Sequence, residues 1–217
     1  MTRAALPNEY DALREMIVMG KILPNERIVE ATYAELLGTN RANIRRALAR
    51  LEQEGLIVSE PFRGARVRRV TQDEAVEIFE VRGALEVLLV QHATEWATQS
   101  DKERLRVLRK KLNDALPKND PVAVGAVSRQ MREELWRMSR HAIALQIVGS
   151  LNSQLVRIWF QSIMMPGRAE SIVADMNDLC DAIDAGSAPK AAKAMRRYHD
   201  AAIAALKTAF ARNAGPL

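Results

Sequence analysis

Residues 34–56, AELLGTNRANIRRALARLEQEGL, describe two helices around a short turn. The apolar Leu36, Leu37, Ile44, Leu48 and Leu51 recur at helical spacing, so one face can pack. The second helix carries Arg41, Arg45, Arg46 and Arg50, with no acidic residue until Glu52. The arginines fall on the remaining faces and at the helix's front end. A compact helical pair offering an arginine-rich surface is what entry into a DNA major groove requires. The plain alternative is a solvated helix face, the usual fate of a charge run.

The flanks favour the first reading. After the helix come Gly55-Leu56-Ile57-Val58, then Ser59-Glu60-Pro61-Phe62-Arg63-Gly64-Ala65, then Arg66-Val67-Arg68-Arg69-Val70. Short β-prone segments joined by a turn rich in Pro and Gly read as a hairpin. Its tip and return strand carry Arg63, Arg66, Arg68 and Arg69. A basic helix followed directly by a basic hairpin describes a winged helix-turn-helix.

The 217 residues can form one large domain or two modest ones. Helix-period segments dominate after Thr71, whereas the hairpin signal stays within the first 70 residues, which places a winged domain over 1–70 and a second domain over 71–217. Residues 1–70 hold 12 Lys and Arg against 9 Asp and Glu, so +3 of the total net charge of +5. Clustering matters more than the total, because phosphate contacts act within about a Debye length, roughly 8–10 Å. Cys180 is the only cysteine, which excludes an intrachain disulfide and fits a reducing compartment. Its expected place is the inner face of a helix. No stretch approaches the roughly 20 apolar residues of a membrane span, and the N-terminus lacks the apolar core of a secretory signal. The expectation is a cytoplasmic protein with no membrane partner.

A first helix is expected over 8–19, with Leu13, Met16 and Ile17 inward, and a loop over 20–27 in which Asn25 can take a left-handed conformation. Thr32 is the expected cap of a helix over 33–37, with Glu35 completing a capping box. Gly38 makes the turn and Asn40 caps the arginine-bearing helix. Beyond Thr71 the pattern describes about six helices. The first opens on the capping box of residues 71–74 and runs to about 98. The second, capped by Ser100, runs to about 116. The others cover roughly 120–140, 142–164, 168–185 and 189–212. Antiparallel helices with short connections make a bundle, so the fold class is mainly α: a winged helix-turn-helix followed by an all-α bundle.

The pattern Gly20…Leu23-Pro24-Asn25-Glu26-Arg27…Glu30…Gly38-Thr39-Asn40-Arg41…Ile44-Arg45…Ala47-Leu48…Leu51-Glu52…Glu54-Gly55-Leu56 resembles the GntR family of bacterial transcription factors. Arg63-Gly64-Ala65…Val67 resembles that family's wing, and Arg82…Leu85-Glu86 the start of the all-helical effector domain of its FadR-like (FCD) branch. The resemblance implies a ligand-responsive regulator, usually a repressor, that binds a short inverted repeat of double-stranded DNA as a homodimer. Its DNA-reading positions fall on Asn40, Arg41, Asn43 and Arg45, with Arg63 and Gly64 at the wing. The chemistry agrees: Arg41 and Arg45 can meet guanine edges, and Gly64 lets the main chain approach the minor groove. Arg46, Arg50, Arg66 and Arg68 suit phosphates, which position without specifying. Departures are Asn25 where the family usually has Gly, Ala31 where many members are basic, and Asn40-Arg41-Ala42 for its Ser/Thr-Arg-Thr. The operator sequence therefore does not carry over.

Many members of the branch hold a divalent metal with an Asp, a His four residues on, and a His from each of the last two helices. Those positions fall here on Ser128, Arg132, Met176 and Tyr198, a poor ligand set, so no metal or other cofactor is expected. His199 is one residue, roughly 100° of helix, from its place and is expected to point elsewhere. Arg132 can instead anchor a small carboxylate or phosphate effector, or pair with an internal acid such as Glu86 or Asp175. Ser128, Tyr198 and His141 could add hydrogen bonds. Arg82 joins this candidate set, although an ion pair with Glu86 one turn away is the favoured reading of it. Trp96, Trp136, Trp159 and Met164 read as core or dimer-interface residues.

Two readings of the second domain stay open, an acid-sensing module and a purely dimerising one. An enzyme is not supported: a di-iron bundle needs paired Glu-x-x-His motifs, and no His follows a Glu at that spacing.

Overall fold

A computed structural model describes residues 8–60 and 64–213. They divide into two compact units. One holds the described residues up to Thr71 together with Ser150–Arg157, and the other holds Gln72–Gly149 and the described residues from Ile158 onward.

In the first unit α1 (Glu9–Val18) starts where the Asn8 side chain accepts the Asp11 N–H. It buries Leu13 and Ile17 one turn apart. Asn25 takes the left-handed conformation, φ 69°. Its N–H donates to the Val67 carbonyl at 2.8 Å, and the Val67 N–H donates to the Glu26 carbonyl at 2.9 Å. These two bonds lead into β1 (Arg27–Ile28), a strand within the expected loop. Two residues carry no periodicity, and this strand exists only because β3 lies beside it.

α2 (Glu30–Leu36) begins three residues earlier than expected, straight after β1, with Val29 at its cap and no side-chain cap bond. Thr32 is therefore an exposed helix-interior residue and forms no capping box. Leu36 is also outside the core, 61% exposed, because Tyr33 and Ala34 supply the buried face. α3 (Arg41–Gln53) buries Ile44, Ala47, Leu48 and Leu51 and is capped by Asn40, as expected. β2 (Ile57–Glu60) and β3 (Gly64–Val67) follow. The sheet order is β1-β3-β2, both pairings antiparallel, with Arg27 opposite Arg66 and Ser59 opposite Ala65. Leu13, Ile17, Ile44, Leu51, Ile57 and Val67 meet in one core. Each such buried side chain contributes about 1.5–3 kcal/mol.

From residue 72 on, the described residues form six helices: α4 (Gln72–Trp96), α5 (Gln99–Ala115), α6 (Pro121–Ser139), α7 (Ala142–Ile163), α8 (Arg168–Asp184) and α9 (Ala188–Asn213), all in the second unit except for residues 150–157 of α7. A 3-10 turn, Leu116–Lys118, follows α5. Thr98, not Ser100, caps α5. It shares a reciprocal capping box with Asp101, and Ser100 sits inside the helix accepting from Arg104 at 2.8 Å. Pro121 starts α6 behind the Asp120 cap, a position where its missing N–H costs nothing. α9 runs along α4 and α8, and α6 along α4, α5 and α8. The core joins Val90, Leu112, Met131, Leu135, Met176 and Leu179.

Cys180 is buried, and burial pushes its thiol up to about 12, which suits a core residue. Trp136 is buried, but Trp96 and Met164 are half exposed and not core residues. The side chain of Trp159 lies outside the described residues. Among the described residues no helix is long and apolar enough to cross a membrane.

Candidate nucleic-acid interface and interior polar cluster

The arginines of α3 fall into two groups by what holds them. Arg41 and Arg45 stand exposed on neighbouring turns of one face. Arg45 is clamped by Glu30 of α2, Nε and Nη2 donating to the two carboxylate oxygens at 2.9 and 2.7 Å. That bond holds the Glu30 carboxyl below its usual range. A groove of about 360 Å³ borders this pair, lined by Arg27, Glu30, Arg45, Glu52, Ser59 and Gly64. Glu52 closes its far side by accepting from the Ser59 N–H and hydroxyl, both at 2.9 Å.

Asn43, expected to read bases, is held by the protein itself. Its amide nitrogen donates to Glu9 and to Thr39, each at 2.9 Å, and its oxygen accepts from Arg46. Thr39 also donates to Glu9 at 2.6 Å. Asn43 thus ties α1 to α3 and orients Arg46. Arg50 lies over the Tyr10 ring, 3.7 Å from its centre, and 3.7 Å from Glu54, on the side of α3 that faces α1. Gly64 has φ 77°, and a Cβ there would meet the Arg27 guanidinium at 3.6 Å. Arg66 is half-buried on β3, the central strand. Arg63 lies outside the described residues. Asn40 accepts the Asn43 N–H at 2.9 Å. Asn40→Ala removes that cap and is expected to cost about 1 kcal/mol of stability in urea unfolding, with Asn40→Ser near wild type.

In the helical unit a cluster of buried polar groups forms where α4, α6, α8 and α9 meet. Arg132, 1% exposed, donates to Glu86 at 2.9 Å, and Glu86 is fully buried. Arg82 reaches the same carboxylate at 3.5 Å. Of the two alternatives for Arg132, the internal pair with Glu86 is thus formed. Ser128 and Tyr198 share a hydroxyl–hydroxyl bond of 3.3 Å, and the Arg132 guanidinium lies 5.7 Å from the Tyr198 ring centre.

Two members went unanticipated. Arg168 donates to the Tyr198 carbonyl at 3.2 Å and to Ser171 at 2.9 Å. His199, expected to point elsewhere, is buried with its Nε2 3.0 Å from Glu86. Its signal was Gly83, a glycine inside a helix. A Cβ there would come within 3.1 Å of the His199 ring. His141 is not in the cluster. It sits at the start of α7, where Nδ1 accepts the Ala144 N–H at 3.3 Å and its ring meets the edge of His92.

Burial opposes charge on Glu86, but Arg132 and His199 outweigh it and keep the carboxylate ionised. Burial likewise lowers the His199 pKa below 6.5. The unfolded chain then binds a proton that the folded chain refuses, so stability falls as pH drops through about 6.5. The expected slope is at most about 1.4 kcal/mol per pH unit, read from urea unfolding between about pH 7.5 and 5.5. His199→Gln should flatten it.

A divalent metal does not fit here. The four positions that would hold it carry a hydroxyl, a guanidinium, a thioether and a phenol, and the Arg132 cation occupies the interior in the ion's place.

The FCD domain matches residues 77–201, and the description "Bacterial regulatory proteins, gntR family" matches residues 9–67. Over 105 residues the chain is 33% identical to the uncharacterized HTH-type transcriptional regulator YdhC of Bacillus subtilis, a match covering 48% of this chain and 46% of that protein. Over 139 residues it is 28% identical to the HTH-type transcriptional regulator McbR of Escherichia coli, covering 64% and 63%. The matches therefore span less than two thirds of these relatives' own lengths. The solved structure of E. coli McbR/YncC superposes with a TM-score of 0.78 over 93% of this chain and 96% of that one at 23% identity, a likeness of fold.

Proposed function

As the chain belongs to the GntR family of bacterial regulatory proteins and carries an FCD domain, we propose that it is a DNA-binding transcriptional regulator. On this reading it acts in the cytoplasm as a homodimer on a short inverted repeat, as a repressor, and is controlled by a small acidic metabolite bound in the helical unit. Residues 1–70 form the DNA-binding domain and 71–217 the effector domain. The observation that carries the reading is the exposed Arg41–Arg45 face of α3 beside the wing strands. Arg41 and Arg45 read bases, while Arg46 and Arg66, with Arg63 and Gly64 of the wing, follow the backbone. Asn40 and Asn43 hold the helix they stand on, and Arg50 supports it from behind. Sensing rests on Arg132, Arg82, Ser128 and Tyr198, gathered inside one bundle. His141, apart from them, is left out of the site.

The test is selection of sheared genomic DNA by the purified protein, followed by sequencing, at low and physiological salt. Recovery of a few fragments sharing an inverted repeat is the expected result. Retention that ignores sequence and vanishes with salt would reduce the arginines to phosphate contacts. Release of the recovered fragments by pooled metabolites then separates a sensor from a bundle that only dimerises, the reading that the internal Arg132–Glu86 pair favours.

A further inference from the structure

We infer that Glu9 of α1 is a positioning residue that sets specificity: it holds Asn43 of α3 away from the base edges and leaves the operator unread at the position Asn43 faces. This rests on the proposed reading of DNA by α3 and adds to it which residue of the first turn stays silent, and why.

Asn43 is the third residue of α3, two places after Arg41. It stands in the turn whose side chains meet base edges when such a helix enters the major groove. Asparagine is suited to that task, since its amide oxygen and nitrogen together match the N6 and N7 edge of adenine. Here both ends of the amide are taken. Its nitrogen donates to Glu9 Oε1 and to Thr39 Oγ1, each at 2.9 Å, and its oxygen accepts from Arg46 Nη2. Thr39 donates to the same Glu9 oxygen at 2.6 Å. That hydrogen bond, before the others, holds the Glu9 carboxyl below its ordinary range.

Charge fixes the sense of the amide. Turned over, it would set its oxygen against the Glu9 carboxylate and its N–H groups against the Arg46 cation. Adenine offers two hydrogen bonds and asks the side chain to leave three. Two of those three are to ionised partners, the stronger kind. Glu9 is half-buried at the first position of α1, and α1 packs against α3, so the carboxylate is delivered to the start of α3 by the core of the unit.

The experiment is selection from a randomised duplex library by the full chain, with sequencing of the bound fraction, for the wild type, Glu9→Ala, Asn43→Ala and the double variant. Glu9→Ala removes a negative charge beside the DNA and is expected to bind all sequences more tightly, so base preference is the readout. A purely structural role would change affinity and leave the preference profile as it was. Glu9→Ala is expected to gain at least a fivefold preference for adenine at one position per half-site, the low end of what a bidentate pair supplies. Asn43→Ala should keep the wild-type profile, and the double variant should lose the gained preference. Glu9→Gln keeps an acceptor for Thr39 without the charge and should gain the same preference more weakly. It carries the test if Glu9→Ala does not fold. Loss of an adenine preference in Asn43→Ala, or a wild-type profile in the folded Glu9 variants, overturns the assignment while the reading of DNA by α3 stands. A wild-type chain that retains all sequences alike takes away both.

Discussion

Glu86→Ala is expected to lower the stability of the chain by about 3–5 kcal/mol, the cost of leaving a buried ion without its counterpart. For a protein of this size that is a fall in Tm of about 6–20 °C. The cause is specific: Glu86 is the one carboxylate shared by Arg132 at 2.9 Å, Arg82 at 3.5 Å and His199 at 3.0 Å. Its removal leaves the Arg132 cation without its carboxylate in a dry interior. The double variant Glu86→Ala, Arg132→Met takes away one cation with the anion and should recover part of the loss, because the two sites are in contact and do not act additively. Urea unfolding of the three proteins checks this. A loss under about 1 kcal/mol in the single variant would show that the cluster is wetter than its burial implies.

Arg41→Ala is expected to weaken operator binding by about 5–150-fold for each half-site contacted, and to relax the base preference at one position per half-site. Arg41 is exposed at the first position of α3, so its loss leaves the core of the unit untouched. Arg46→Ala should behave differently. Removing a cation that meets only phosphate weakens binding to all sequences alike and lowers the salt slope by about one. Titrating operator and scrambled duplexes at two salt concentrations separates the two. Equal losses on both duplexes for Arg41→Ala would remove it from base reading.

Much of the fold could be read from local chemistry. Asn8, Asn40 and Asp120 cap helices because a short side-chain oxygen meets an N–H three residues on. The left-handed Asn25 followed from its tolerance of positive φ. What stayed hidden depends on partners distant in sequence. β1 needs β3, and α2 starts where β1 ends, so Thr32 lost its role to a pairing about 35 residues away. Thr98 displaced Ser100 because only Thr98 stands three residues before Asp101. In the cluster, Arg82 and Glu86 are legible as an i, i+4 pair, but Arg168 and His199 come from helices whose rotation is set by packing. An offset of roughly 100° turns His199 away from the interior only where the interior lies in one direction. A helix wedged between α4 and α8 has two inward faces, and His199 takes the one toward α4.

The clamp between Glu30 and Arg45 carries a consequence for discrimination. On the DNA-binding reading, Arg45 approaches DNA already holding two carboxylate oxygens at 2.9 and 2.7 Å, with its side chain still open to water. Any base or phosphate that recruits it enters an exchange, and wins only by offering a pair of acceptors as well placed as those of Glu30. Guanine, with two acceptors on one edge, can compete, whereas a single phosphate oxygen in passing offers less. On the proposed reading the acidic neighbour sets a small threshold, since an exposed ion pair contributes at most about 1 kcal/mol, and selectivity is set partly by the partner the arginine has to leave.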